Sequence, residues 1–555
     1  MGIGQHVKSD LITITSRDTF LSHKFITSPC QKKNFPKGIV CVCTEDYCDT
    51  LEDVDPIEND DIVLVSTSKG GLRFEVTRSK QNSRNRFIQN SSEYGINLLV
   101  PQVSSDRSYR ESPDNFFKFF SIRADINVNR SITYQTNIGF GGAFTGSVSH
   151  IIDMLPKKLQ DHIYKSYFSK TEGIGYNMMR IPIGGSDFDL APWAYNEEPI
   201  NDANLTNFQQ LDDRDLKRIS QLRDLKIASA NDDIKYIGAA WSPPPWMKTN
   251  NHWTGLSALR SEYYSTWAQY HLKFLELMAN EGVNFWAFST GNEPLNGIIG
   301  WVFVHFMSLG WTASTQAKWV GEYLGPLLRN SSFKDVKLLG GDDQRYVMPI
   351  WFEEMQSAHS DAVDYLDGFA VHWYWDTIAP PSLLDKTHEK FPDKFMLNTE
   401  SCLGDKPLTV HGPILGSWER AEQYARSYIE DLTHWVGGWV DWNIVLDESG
   451  GPNYVDNTVE APVIVNTTSK NEFYKQPIFY IIGHFSRFIV ENSIRIDVHS
   501  SHNSVETVGY IRPDNSVAIV LFNRSLLKAD IRLRDGSFNI ALTLPARSIH
   551  TLVYF

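Results

Sequence analysis

Between about residue 135 and residue 446 one theme recurs eight times: a short apolar strand that ends in glycine or polar residues, then a stretch able to form a helix. The strands are IGFGGAF, YNMMRIPI, IKYIGAAW, VNFWAFSTGNEP, VKLLGGDDQR, LDGFAVHWYW, KFMLNTES and GGWVDWNIVL. In the connecting segment SEYYSTWAQYHLKFLELMANEGV, residues Trp267, Tyr270, Phe274, Leu277 and Met278 share one helical face, and Gly282 stops the pattern. Eight strand–helix units predict an α/β chain built on a (β/α)8 TIM barrel over 136–446. In such a barrel the reacting side chains sit at the carboxyl ends of the strands, where the polar residues of these segments fall.

The flanks read differently. A chain of 555 residues exceeds one ordinary core. Residues 56–135 and 480–555 alternate in short runs such as ETVGYIRPDNSVAIVLFNRS, with RPDNS as the turn, and RSIHTLVYF reads as a closing strand. These two distant segments are expected to pair into a β-sandwich. Residues 30–55 and 447–479 are expected to form a small disulfide-stapled β-domain. Its cysteines, Cys30, Cys41, Cys43 and Cys48, lack the paired spacing of common zinc sites. They read as two disulfides, for which three connectivities exist; the pairing with short loops, Cys30–Cys41 and Cys43–Cys48, is favoured.

Six glycosylation sequons, at Asn90, Asn129, Asn204, Asn330, Asn466 and Asn523, join the cysteines in pointing to the secretory route. Residues 1–29 show no apolar signal region, and are expected to be a disordered, dispensable extension from an alternative or misassigned start. A net charge of −14 without a Lys/Arg block argues against nucleic acid and weakly suits an acidic compartment. No apolar run is long enough to span a membrane.

Two glutamates stand out. Glu293 is expected to end the fourth strand, where Pro294 halts sheet pairing, and Glu400 to end the seventh. Three barrel units apart, they can face one another across the barrel mouth. Two carboxyl groups across a cleft are what glycoside hydrolysis requires, one protonated as acid and one ionised as nucleophile.

The ordered blocks CVCTEDYCD, GFGGAFT, KSYFSKTEGIGYNMMRIPI, GGDDQR, VHWYW, VDWNIVLDESGGPNYVDN and FYKQPIFYIIGHFSRFI give the chain a resemblance, from Cys30 almost to Phe555, to glycoside hydrolase family 30 in its glucosylceramidase branch. The resemblance implies a retaining β-glucosidase that cleaves glucosylceramide without metal or organic cofactor. Glu293 of the NEP tripeptide would be the acid/base and Glu400 the nucleophile. Asn292 would hold the sugar 2-hydroxyl and orient the nucleophile, and Asp187 would bind outer hydroxyls. Trp241 and Trp442 would contact the sugar, Tyr374 would stand beside the nucleophile, and Gln344 would sit at the cleft rim. Arg180 fits a buried charge partner and a ligand contact equally. An anionic membrane, a saposin-type activator protein and the lysosomal lumen are the implied surroundings.

Other residues read as scaffold. His372 is expected to be a satisfied core histidine, Trp373 and Trp375 packing residues, and Cys402 a buried inert thiol. Gly146 stands where the family carries an aspartate, which puts the local geometry in question. The stretch IIGWVFVHFMSLGW is longer and more apolar than its counterpart in vertebrate relatives. The alternatives to a glucosylceramidase are an enzyme acting on soluble β-glucosides or β-xylosides, and a non-catalytic glycolipid-binding paralogue.

Overall fold

Eight strands follow one another in parallel and close on themselves: β1 (Gly139–Ala143), β2 (Met178–Pro182), β3 (Lys235–Ala239), β4 (Phe285–Ser289), β5 (Lys337–Gln344), β6 (Gly368–His372), β7 (Phe395–Glu400) and β8 (Val436–Asn443), with β8 pairing β1. The computed structural model describes residues 11–14, 28–55, 57–58, 60–80, 121–404 and 410–555. The barrel interior is filled by one apolar layer, with Met178, Ile237, Ala287, Leu339, Ala370, Leu397 and Val440 each supplied by a different strand. That layer floors the barrel, so the polar residues beyond it line a mouth and not a channel. Helix α1 (Tyr264–Asn280) buries Trp267, Tyr270, Phe274, Leu277 and Met278, and the chain turns away at Gly282 with φ of +83°.

The barrel belongs to a unit spanning residues 26–53 and 135–492. The same unit holds a five-stranded sheet whose strands include Lys32–Phe35, Gly38–Thr44 and Glu472–Lys475. Disulfides Cys30–Cys41 and Cys43–Cys48 lie in its N-terminal segment. Residues 480–492 were expected with the sandwich. They fall instead in this unit, where helix α2 (Pro477–Ser486) is buried at every position; an all-round apolar helix needs packing on all sides and cannot serve as a half-exposed strand.

The second unit, residues 1–25, 54–134 and 493–555, is a ten-stranded sheet. Strand Lys528–Asp535 alternates, with Ala529, Ile531 and Leu533 facing inward between exposed or half-exposed polar neighbours, whereas Val517–Asn523 and Ser548–Tyr554 are buried throughout. Ala529, Ile531 and Leu533 share one core with Ile62, Ile126, Ile496, Leu521, Leu542 and Leu552, the arrangement of a β-sandwich. Within the extension expected to be disordered, Leu11–Ile14 forms a strand paired in parallel with Phe538–Leu544. The remainder of residues 1–27 lies outside the described residues.

Candidate active site

Strand β4 stops at Ser289, earlier than the sequence pattern implies, and Glu293 stands on the turn that follows. Three backbone donors tie this turn to neighbouring strands: Thr290 to Leu339, Asn292 to Ala240 and Glu293 to Asp342. They hold Glu293 at φ of +43°, a left-handed conformation that costs a residue with a Cβ about 1 kcal/mol or more. The turn thus aims a carboxylate inward where a continuing strand would have alternated past it. Pro294 then opens a short 3-10 turn, Pro294–Gly297. Glu400 is the last residue of β7, as expected. Oxygens of Glu293 and Glu400 and a ring nitrogen of His372 all lie within 4.8 Å of one another, and all three residues are buried.

A buried ionic network underlies them. Arg180 on β2 is fully buried; it donates to Glu400 Oε2 at 2.5 Å, Asn292 Oδ1 at 2.7 Å and Asp342 Oδ2 at 2.8 Å. Of its two readings, the structure therefore supports the charge partner. Its guanidinium also lies over the ring of Trp241, 4.9 Å from the centroid. His372 is the buried, satisfied histidine expected, but its partners belong to the site: Nδ1 contacts Glu293 Oε1 at 2.9 Å and Nε2 contacts Asp342 Oδ1 at 3.1 Å. Burial opposes its charge, but Glu400 and the bonds to Asp342 and Glu293 win, raising its pKa to about 10. Burial likewise works against ionised Asp342, yet Arg180 and His372 hold it well below the usual carboxylate range. Glu400 is shifted upward, by burial and by the charge of Glu293, against the pull of His372 and Arg180.

The remaining expected site residues gather around this pair. Tyr374 donates to Glu400 Oε1 at 2.8 Å, and Cys402 Sγ is 3.5 Å from the same hydroxyl. Trp241 and Trp442 stack with centroids 5.4 Å apart, and Phe188 meets Trp442 edge-on. Asp187 accepts from Asn457 and is raised well above its ordinary value by burial, with Glu400 and Glu293 adding to the rise. Gln344 is not at the rim: it is buried, and its Nε2 donates to Glu293 Oε1 at 2.6 Å. The place a side chain at Gly146 would need is taken by Asp189, whose Oδ1 lies 1.8 Å from where a Cβ would stand.

Two packing expectations divide. Trp373 is buried and donates to the Cys402 carbonyl, whereas Trp375 is 46% exposed. Strand β6 ends at His372, so the alternation used to place Trp375 no longer holds there. Asp342, Asp343 and Asn296 are functional neighbours that sequence reading passed over, and His372 is one that it took for scaffold. Asp343, raised to about 7 by burial and by Glu293, accepts from Leu295 N at 3.0 Å and steadies the same turn. Glu293, His372 and Glu400 have the residue types of a metal site, but both ring nitrogens of His372 are already engaged by carboxylate oxygens, of Glu293 and Asp342.

Comparison with known proteins agrees with this geometry. The Glycosyl hydrolase family 30 TIM-barrel domain matches residues 138–489 and the family 30 beta sandwich domain residues 492–552. The chain is 36% identical to "Putative glucosylceramidase 4" of Caenorhabditis elegans, over 95% of each chain. To lysosomal acid glucosylceramidase of Mus musculus it is 35% identical, over 96% of this chain and 97% of that one. Among solved structures, SrfJ from Salmonella typhimurium superposes with a TM-score of 0.73 at 25% identity, covering 89% of this chain and 99% of that one.

Proposed function

Because the chain belongs to glycosyl hydrolase family 30, we propose that this glycoside hydrolase cleaves glucosylceramide to glucose and ceramide in sphingolipid catabolism, by double displacement with retention. The carrying observation is the separation of the two glutamates, whose oxygens lie within 4.8 Å of each other. Retaining enzymes hold their carboxyl groups about 5–5.5 Å apart, whereas inverting ones leave about 6.5–9.5 Å for a water. Both oxygens of Glu400 accept hydrogen bonds, one from a guanidinium, which suits the ionised nucleophile. Glu400 attacks the anomeric carbon while Glu293 gives its proton to the departing ceramide oxygen. Glu293, now a base, takes a proton from water, which releases glucose and frees Glu400. Trp241, Trp442 and Asn292 form the sugar site, and Asp187 pairs with outer hydroxyls.

Glucosylceramide, and not a soluble glycoside, is supported by the relatives' names and by apolar side chains exposed on loops at the barrel mouth. Ile299, Val302 and Phe303 follow β4, and Trp375 and Ile378 follow β6. A lipid surface fits them, with an anionic bilayer and a saposin-type activator as partners. The two disulfides suit an oxidising route to the lysosomal lumen.

The test is hydrolysis of fluorescent glucosylceramide at about pH 5 by wild type, Glu400→Gln and Glu293→Gln, with a fluorinated glucoside used to trap the intermediate. Loss of roughly 10⁴-fold in Glu400→Gln, and of about 10²–10⁴-fold in Glu293→Gln, is expected. Mass spectrometry should find the label on the peptide holding Glu400. Normal turnover by Glu400→Gln would sink the mechanism; wild-type activity confined to soluble aryl glucosides would sink the substrate.

A further inference from the structure

Glu293 accepts from three side chains, and the two oxygens are treated differently. Oε1 meets His372 Nδ1 at 2.9 Å and Gln344 Nε2 at 2.6 Å. Facing a cationic ring, that oxygen is a poor place for a proton. Oε2 meets Asn296 Nδ2 at 2.5 Å. A carboxamide can turn, presenting Oδ1 to a carboxylic O–H or Nδ2 to a carboxylate, which the imidazolium cannot do. The position of Asn296 is also specific. It closes the 3-10 turn Pro294–Gly297 with its own N–H to the Glu293 carbonyl at 2.9 Å, so main chain and side chain both return to one residue. Its Oδ1 lies toward Gly300, where an added Cβ would stand 2.9 Å away. A glycine there leaves the amide the room it occupies.

We propose that Asn296 is the positioning residue that holds the transferable proton of Glu293 on Oε2. In the acid form Oδ1 accepts the Oε2–H until substrate binds, when the O–H swings from the amide to the glycosidic oxygen. As the glycosidic C–O bond breaks and its electron pair stays on the departing oxygen, the proton moves from Oε2 to that oxygen. The amide then turns and Nδ2 donates to the new carboxylate. When water attacks in the second half, its proton returns to Oε2 and the amide turns back. The inference rests on the reading of Glu293 as acid/base, and it assigns Asn296 no contact with substrate.

The test uses the full chain and aryl β-glucosides graded in leaving-group ability, since dinitrophenolate departs with little protonic help and phenolate needs it. Asn296→Ala should lower kcat/KM on phenyl glucoside roughly 10- to 100-fold, and on dinitrophenyl glucoside by less than about threefold. Asn296→Asp keeps the shape but cannot donate to a carboxylate, and should show the same steepened dependence. Gly300→Ala, which leaves both residues in place, should push the amide aside and give a smaller loss of the same pattern. Equal losses on all substrates for Asn296→Ala, or wild-type behaviour of Asn296→Asp, would overturn the proposal by leaving only a packing role. Glu293→Gln separates this from failure of the underlying reading: if it too hydrolyses phenyl glucoside normally, Glu293 is not the acid, whereas a loss there beside an unaffected Asn296→Ala condemns the role of Asn296 alone.

Discussion

At the scale of single residues, the barrel mouth is arranged so that its buried charges have partners. Arg180 bridges Asp342 and Glu400, and His372 bridges Asp342 and Glu293. Removing one member of such a network leaves an uncompensated charge, at a cost of about 3–5 kcal/mol. The two shifted groups act in opposite pH directions. His372 is raised, so its contribution is complete below its unfolded value of about 6.5 and is lost as pH climbs through about 10. Asp342 is depressed, so its contribution is complete above about pH 4 and is lost as pH falls through its folded value. Both are whole between about pH 4 and 6.5, a range that suits an acidic workplace. Thermal denaturation of His372→Asn should therefore show its largest deficit against wild type below about pH 6.5, with the gap narrowing toward pH 10. A gap that widens over that interval would contradict the charged-imidazole assignment.

At the scale of elements, one turn carries both chemistry and surface. Residues 294–304 begin with the backbone that fixes Glu293 and Asn296, and end with Ile299, Val302 and Phe303, exposed by 63%, 54% and 82%. Burying a phenylalanine side chain in an apolar phase is worth about 2–3 kcal/mol. Phe303→Ser should consequently weaken partition onto glucosylceramide vesicles by about tenfold or more, and slow vesicle-bound turnover to match. Hydrolysis of a soluble aryl glucoside should stay near wild type. Equal loss on both substrates would show that the residue supports the turn and does not contact lipid.

At the scale of the whole molecule, the sequons sort by burial. Asn129, Asn204 and Asn330 are exposed, and Asn466 is half-buried with Nδ2 bonded to Glu472 and Tyr474. Asn523 departs from the expectation. It is fully buried and donates to the carbonyls of Leu527 and Pro545, so a glycan there would require opening the sheet. Asn90 lies outside the described residues. Glycopeptide mapping of protein secreted from eukaryotic cells should find sugar at one or more of Asn129, Asn204 and Asn330 and none at Asn523. Modification of Asn523 would mean that glycan addition precedes closure of that strand. Reducing the two disulfides should lower stability by roughly 2–3 kcal/mol each, read as a fall in the thermal midpoint.

The barrel was legible in the sequence because its signal is local: strand–helix alternation with polar residues at strand ends needs no knowledge of what lies opposite. The disulfide pairing was legible for the same reason, since both loops are short. The two glutamates were visible as carboxylates at the ends of apolar runs, and a resemblance supplied their roles. Tertiary structure decided the rest. Glu293 reaches the mouth through a left-handed turn whose N–H groups donate to carbonyls of β5 and of Ala240 at the end of β3, and no period in residues 285–294 encodes that. His372 reads as an ordinary core residue until Glu293 and Asp342, 79 and 30 residues away, close around it. Asn296 became a neighbour of the acid only when the strand proved to end four residues early. Periodicity tells which way a side chain leaves its own backbone; whether a charge awaits it there depends on strands distant in the chain.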